Sequence, residues 1–232
     1  MDVLLIPGLW LDASSWDDVV PALRAADHTP HPLTMPGVGA AEGASAEIGM
    51  ADWIAAAVAE VDALTGPVAV VGHSGGGNVA YGVADARPDK VSRVILVDTF
   101  PPGEGGIIWD EFPEVDGVIP FPGWDSFEPN EIDDLDADAR ERFERGAKSV
   151  PRKVPADPIV LTDERRRDVP VTMITCSVAS GEVREHIESG AAWIAELAAV
   201  RDLELVDLPA GHWPQFSRPT ELGEAIVGAL AG

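Results

Sequence analysis

The chain has 232 residues, 46% hydrophobic and 24% charged, which is enough for one α/β domain with a buried core. Its formal net charge of −24 and its three lysines (Lys90, Lys148 and Lys153) leave no basic patch, so nucleic acid and anionic membrane surfaces are not expected partners. The single cysteine, Cys176, excludes an intrachain disulfide and a cysteine-rich metal site, and no metal is expected.

The N-terminal run Val3–Ile6 lacks a positive region before it and is broken by Pro7-Gly8. It is predicted to be a buried first strand and not a signal peptide. No apolar run approaches the length of a membrane span, and a cytoplasmic location is expected. Ser14-Ser15 can cap a helix from Trp16 to about Ala26, with Trp16, Val19, Val20 and Leu23 on one face. A proline-punctuated strand over His31–Met35 leads into a Gly/Ala-rich loop from Pro36 to Ala46. In the next helix Trp53, Ile54, Ala57, Val58 and Val61 recur at helical spacing, and Gly66-Pro67 stops it. Then come a strand at Val68–Val71, a glycine turn, a helix to about Ala86, and the strand Ser92–Val97, apolar enough for a parallel sheet buried on both faces. Further on, a strand over Val169–Cys176, a helix over about Val183–Val200, a strand over Leu203–Leu208 and a helix over Pro219–Leu230 complete the alternation. The pattern predicts an α/β fold with a doubly wound, mostly parallel sheet.

One stretch breaks the rhythm. Residues 101–168 hold prolines, scattered aromatics (Trp109, Phe112, Phe121, Trp124, Phe127) and an acidic helical stretch at Asp133–Lys148. That is too long for a βα connection. It is expected to be an inserted lid over the strand ends, where an α/β sheet meets its ligand.

The stretch GHSGGGNVA, starting at Gly72, supports two readings. Gly75-Gly76-Gly77-Asn78-Val79-Ala80 fits the dinucleotide fingerprint G-x-G-x-x-A, and Asp98 stands about twenty residues on, where a ribose ligand belongs. However, the first glycine of that fingerprint should sit directly at the strand end, and here Gly72-His73-Ser74 comes first. Gly72-His73-Ser74-Gly75-Gly76 is also a G-x-S-x-G on a strand-to-helix turn, which raises the serine hydroxyl above the sheet. A hydroxyl nucleophile needs a base. Of five histidines, only His212, in LPAGHWPQ between the last strand and last helix, lies in a loop at the same sheet edge as Ser74. His73 sits in the turn, with its ring expected to face packing or the pocket wall. His28, His31 and His186 lie on edges or a helix surface. Backbone donors for an oxyanion are expected from Gly75, just after the serine, and from Leu9 in the tight turn after the first strand. Trp10 stands beside it as a wall, and Trp109, Trp124 and Trp213 are further candidates for the pocket.

These stretches (Ile6-Pro7-Gly8-Leu9-Trp10 with Trp16, Met35-Pro36-Gly37, GHSGGG, and AGHWPQFSRPTELGEAI) resemble the ordered signposts of the α/β-hydrolase superfamily, esterases and lactonases included. The resemblance covers almost the whole chain outside residues 101–168. It implies a sheet of the eight-stranded type, here lacking its first strands, and a Ser…acid…His order. One departure is Pro7-Gly8 where the superfamily commonly has His-Gly. The dinucleotide reading fails against this pattern, because it explains Asp98 but not Leu9, Ser74 and His212 together. The resemblance places the acid after the strand that follows the lid, but Ser177-Val178-Ala179-Ser180-Gly181 carries none. Glu182 is the first carboxylate there. Asp98, at the end of the strand after the nucleophile helix, is the preferred acid, with Glu182 as the alternative. The expected function is a cofactor-independent serine hydrolase of a small ester, lactone or thioester. The alternatives are a lyase or cyclase using the same triad, with lid acids such as Glu111, Glu114 or Asp125, or a non-catalytic receptor for a small molecule.

Overall fold

A computed structural model of the protein describes residues 1–41 and 43–232. The described residues form eight strands: β1 (Asp2–Ile6), β2 (Thr29–Pro32), β3 (Val68–His73), β4 (Val91–Val97), β5 (Val118–Ile119), β6 (Val150–Pro151), β7 (Val171–Thr175) and β8 (Leu203–Asp207). Six form one sheet in the order β2-β1-β3-β4-β7-β8, with every neighbouring pair parallel. β5 and β6 make a separate antiparallel pair. The sheet is therefore wholly parallel, and its six strands stop two short of the eight-stranded type.

Alternate residues of each strand face opposite sides, and each side buries its own apolar layer. Leu4, Ile6, Val70, Val94, Leu96 and Met173 pack with Trp53, Ala57, Val61, Val79 and Val83 of α2 (Met50–Ala63) and α3 (Gly75–Ala86). Val3, Leu5, Val71, Ile95, Val97 and Ile174 pack on the other side with Val20 and Leu23 of α1 (Val20–Ala25) and with Leu222 and Ile226 near the C-terminus. Each of the fully buried Val, Leu, Ile and Met side chains contributes about 1.5–3 kcal/mol. This two-sided burial fixes the central strands and therefore the edge on which the site is built.

Three predicted helices come out shorter than their periodicity suggests. The stretch from Trp16 divides into a 3-10 turn at Ala13–Trp16 and α1, because Pro21 is tolerated only in a first helical turn. The acidic stretch at Asp133–Lys148 is helical only over α5 (Ala137–Gly146), capped by the Asp136 side chain, with the short α4 (Pro129–Ile132) ahead of it. The stretch at Val183–Val200 divides into α7 (Ser180–Glu188) and α8 (Ala195–Ala198), and Gly190 between them adopts φ +70°. This turn lets Glu196 accept hydrogen bonds from Tyr81 Oη and Arg166 Nε at 2.8 Å each. The early strand falls at Thr29–Pro32, ahead of its predicted position, on the sheet edge where prolines cost no ladder bond.

The segment between β4 and β7 carries the β5–β6 pair, α4, α5 and α6 (Lys153–Ala156). Its Lys148 N–H donates to the Trp10 carbonyl, and its Glu131 carbonyl accepts from the His212 N–H, both at 2.8 Å. These bonds set it against the loops that leave β1 and β8 at their carboxyl ends. The chain closes with α9 (Pro214–Ser217) and α10 (Pro219–Ala231). Among the described residues no helix is long and apolar enough to cross a membrane.

Candidate active site

Ser74 stands between the end of β3 and the start of α3 with φ 50° and ψ −126°, a conformation that side chains other than glycine rarely adopt. Its N–H bonds to the Val97 carbonyl at 3.1 Å, and its own carbonyl accepts from Gly77 at 2.8 Å, so the surrounding chain holds the strain in place. Close packing under the turn requires Gly76: a Cβ there would press on the Pro7 carbonyl and lie 2.6 Å from the Ile6 oxygen. Trp10, Ser74 and Asp98 all have positive φ (64°, 50° and 47°). Each follows a central strand at its carboxyl end, so backbone strain gathers on the edge that carries these side chains.

Three side chains from three loops meet there. The Asp98 carboxylate accepts from His212 Nδ1–H at 2.7 Å through Oδ2, which leaves Nε2 of the ring to accept from the Ser74 hydroxyl at 2.8 Å. The His212 and Asp98 side chains are only 16% and 4% exposed, so water cannot readily compete for these bonds. Burial raises the Asp98 pKa, but hydrogen bonds from His212 and Ser177 and the attraction of His212 outweigh it, so the net shift is downward. Glu182 is exposed in the first turn of α7, with no bond to His212.

The loop after β7, which carries no acid, has a different part. Its Cys176 and Ser177 N–H groups donate to Asp98 Oδ1 at 3.0 and 2.9 Å, and the Ser177 hydroxyl donates to Oδ2 at 2.7 Å. β4 and β7 are sheet neighbours, so Asp98 on one strand end finds its donors on the next. Sequence reasoning missed Ser177. A small hydroxyl residue where an acid belongs was the available signal. Burial and the charges of Asp98 and Asp134 push the Cys176 thiol pKa far up, which disfavours its thiolate.

His73 does not line an open pocket. It is 1% exposed, and its Nε2–H donates to the His212 carbonyl at 2.6 Å. Burial and the neighbouring His212 push its pKa down to about 3, so the ring stays neutral. Gly75 is the first residue of α3, so its N–H has no intrahelical acceptor. Leu9 lies against it, since a Cβ on Gly75 would be 3.1 Å from the Leu9 side chain and from Ile108. Trp10 packs edge-on against Phe112, Phe121 and Phe127. Trp213 packs edge-on against His212 and against Trp124, Phe127 and Phe143. Trp10 and Trp213 are 3% and 1% exposed, and so belong mainly to the apolar wall behind the site. Trp109, 50% exposed, instead lines a surface groove of about 210 Å³ with Phe112, Ile119, Arg152 and Lys153. Glu111, Glu114 and Asp125 are exposed, and Glu114 faces Arg152 at 3.5 Å. Among the described residues, no group of three or more His, Cys, Asp or Glu side chains is placed to hold a metal ion.

A sequence profile of the alpha/beta hydrolase family matches residues 3–225. The chain belongs to the α/β-hydrolase family. Lipase LipV of Mycobacterium tuberculosis (strain ATCC 25618 / H37Rv) is 30% identical over 189 residues, 71% of this chain and 69% of its own. Two solved structures share the α/β-hydrolase fold at lower identity. An extracellular alpha/beta-hydrolase from a Paenibacillus species is 18% identical with TM-score 0.78, covering 99% of this chain and 98% of its own. A methylesterase from Arabidopsis is 17% identical with TM-score 0.76, covering 100% and 99%. Membership of the α/β-hydrolase family, with a lipase among the relatives, supports hydrolase activity.

Proposed function

We propose that the protein is a serine hydrolase that cleaves a small carboxylic ester, lactone or thioester through an acyl-enzyme on Ser74. The observation that carries this reading is the unbroken hydrogen-bonded chain from Ser74 Oγ through His212 to Asp98. In it, His212 Nε2 takes the hydroxyl proton as Oγ attacks the carbonyl carbon, then returns it to the leaving alcohol or thiol. Asp98, held by three donors of its own, fixes the Nδ1–H tautomer and stabilises the imidazolium. The N–H groups of Leu9 and Gly75 receive the oxyanion, and the start of α3 favours the developing negative charge. Water activated by His212 then releases the acid.

In this reading residues 101–168 form the lid, and Ile108, which lies against Gly75, gives the substrate an apolar surface beside Ser74. That favours substrates with an apolar acyl or alcohol part. The mechanism needs no cofactor or metal, and its small-molecule substrate is the only partner it requires. A fluorophosphonate probe is expected to label Ser74 in the folded protein and not the Ser74→Ala variant, with turnover of p-nitrophenyl esters lost in parallel. Absence of an adduct in folded wild-type protein rules the proposal out. An adduct without ester turnover moves the chemistry to the lyase or receptor alternatives.

A further inference from the structure

The contacts between residues 130–134 and the loops of the site have a direction that simple covering does not explain. The His212 N–H donates to the Glu131 carbonyl at 2.8 Å. The N–H of the preceding residue, Gly211, donates to Asp134 Oδ2 at 2.7 Å. On the same turn, Asn130 Nδ2 donates to the Ser177 carbonyl at 3.1 Å, and Ser177 is the residue that gives Asp98 both an N–H and a hydroxyl. Gly211 is pressed so closely on this turn that a Cβ would overlap the Glu131 carbonyl and the Asp134 carboxylate. Three residues of the inserted segment, Asn130, Glu131 and Asp134, therefore grip the His212 loop and the loop that holds Asp98.

We infer that the 130–134 turn positions His212 and Asp98 for catalysis, with Asp134 and Asn130 as positioning residues that tie the inserted segment to the acid–base pair. The inference rests on the serine-hydrolase reading of Ser74, His212 and Asp98. The physical basis is that the His212 loop is short and lies between β8 and α9, outside regular structure. Its own ladder ends with β8, so the bonds from Glu131 and Asp134 supply order that the sheet does not. The His73 bond to the His212 carbonyl holds the next peptide unit, so the backbone is fixed on both sides of the His212 Cα. With Asp134 removed, Gly211 loses its acceptor and the imidazole can drift from Ser74. A displacement of about 1 Å at a reacting group lowers rates by up to about a hundredfold.

The test compares Asp134→Ala, Asp134→Asn and Asn130→Ala with wild type in three measurements: the rate of fluorophosphonate labelling of Ser74, kcat and KM on a p-nitrophenyl ester, and melting temperature. Asp134→Asn keeps a side-chain oxygen for Gly211 and places its NH2 at the position where Oδ1 finds no protein donor. The expected result is a fall of about tenfold or more in labelling rate and kcat for Asp134→Ala. KM should stay within about twofold, and Asp134→Asn should restore most of the rate. A purely structural turn would lower the melting temperature and leave labelling per folded molecule unchanged, and that outcome overturns the inference. Should Asp134→Ala fail to fold, Asn130→Ala decides: labelling slowed at unchanged KM supports positioning, and wild-type labelling refutes it. The two readings fail separately. Absence of labelling in wild type removes the serine nucleophile, whereas normal labelling in wild type and in the variants removes only the positioning role.

Discussion

His73 offers a quantitative test of the site's packing. Its ring is 1% exposed and donates through Nε2 to the His212 carbonyl. A second proton would have to sit on Nδ1, which is buried and has no acceptor. Burial is the main reason that its pKa falls from 6.5 to about 3, with the neighbouring His212 adding to it. The unfolded chain therefore binds a proton below pH 6.5 that the folded chain refuses until about pH 3. Stability contributed by the neutral ring is complete above pH 6.5 and is lost as pH falls toward 3. At 1.36 kcal/mol per pKa unit, the loss is about 2 kcal/mol at pH 5 and about 3 kcal/mol at pH 4. His73→Gln keeps an N–H donor of similar reach and has no titrating group. Urea denaturation of both proteins at pH 7, 6, 5 and 4 isolates the contribution as a difference of differences, because every other carboxylate and histidine is shared. The gap between the two unfolding free energies should change in favour of the glutamine variant by these amounts as pH falls. Parallel curves between pH 7 and 4 would refute a buried, neutral His73.

Two further outcomes follow from the geometry of the site. Asp98→Asn keeps the shape but removes the charge that holds the His212 tautomer, so kcat should fall by about 10³–10⁴, while Glu182→Gln, on an exposed helix face, should stay near wild type in the same ester assay; a comparable loss in the glutamine variant would overturn the assignment of the acid. Gly76→Ala would force a methyl against the Ile6 and Pro7 carbonyls and should destabilise the fold by about 1–3 kcal/mol, read as a drop of several degrees in melting temperature, and an unchanged melting temperature would mean that the turn and β1 can separate.

The chain order alone exposes those parts of the site whose cause is local. Ser74 is legible because a buried four-residue apolar strand, a glycine-flanked serine and a small-residue helix follow one another directly, and each imposes its geometry on the next. His212 is legible because its loop lies between a strand and a helix, and parallel strands send all such loops to one edge. Helix lengths are less so, because periodicity does not register a proline at Pro21 or the pull of Arg166 on Glu196. The setting of the carboxylate that faces His212 needed the sheet: Asp98 and Ser177 are brought together only by the adjacency of β4 and β7, and nothing in the spacing of those strands along the chain says that they pair. His73 and the tryptophans show the same limit, since burial is a property of what packs around a residue. From sequence His73 is expected mainly in packing and Trp10 and Trp213 stand as pocket or wall candidates, and only the tertiary structure buries all three behind the site. Sequence therefore determined the turn, the position of Ser74 and the fold, all consequences of neighbours in the chain. The tertiary structure decided which carboxylate faces His212 and which residues of the inserted segment hold its loop, because those contacts join residues many tens of positions apart.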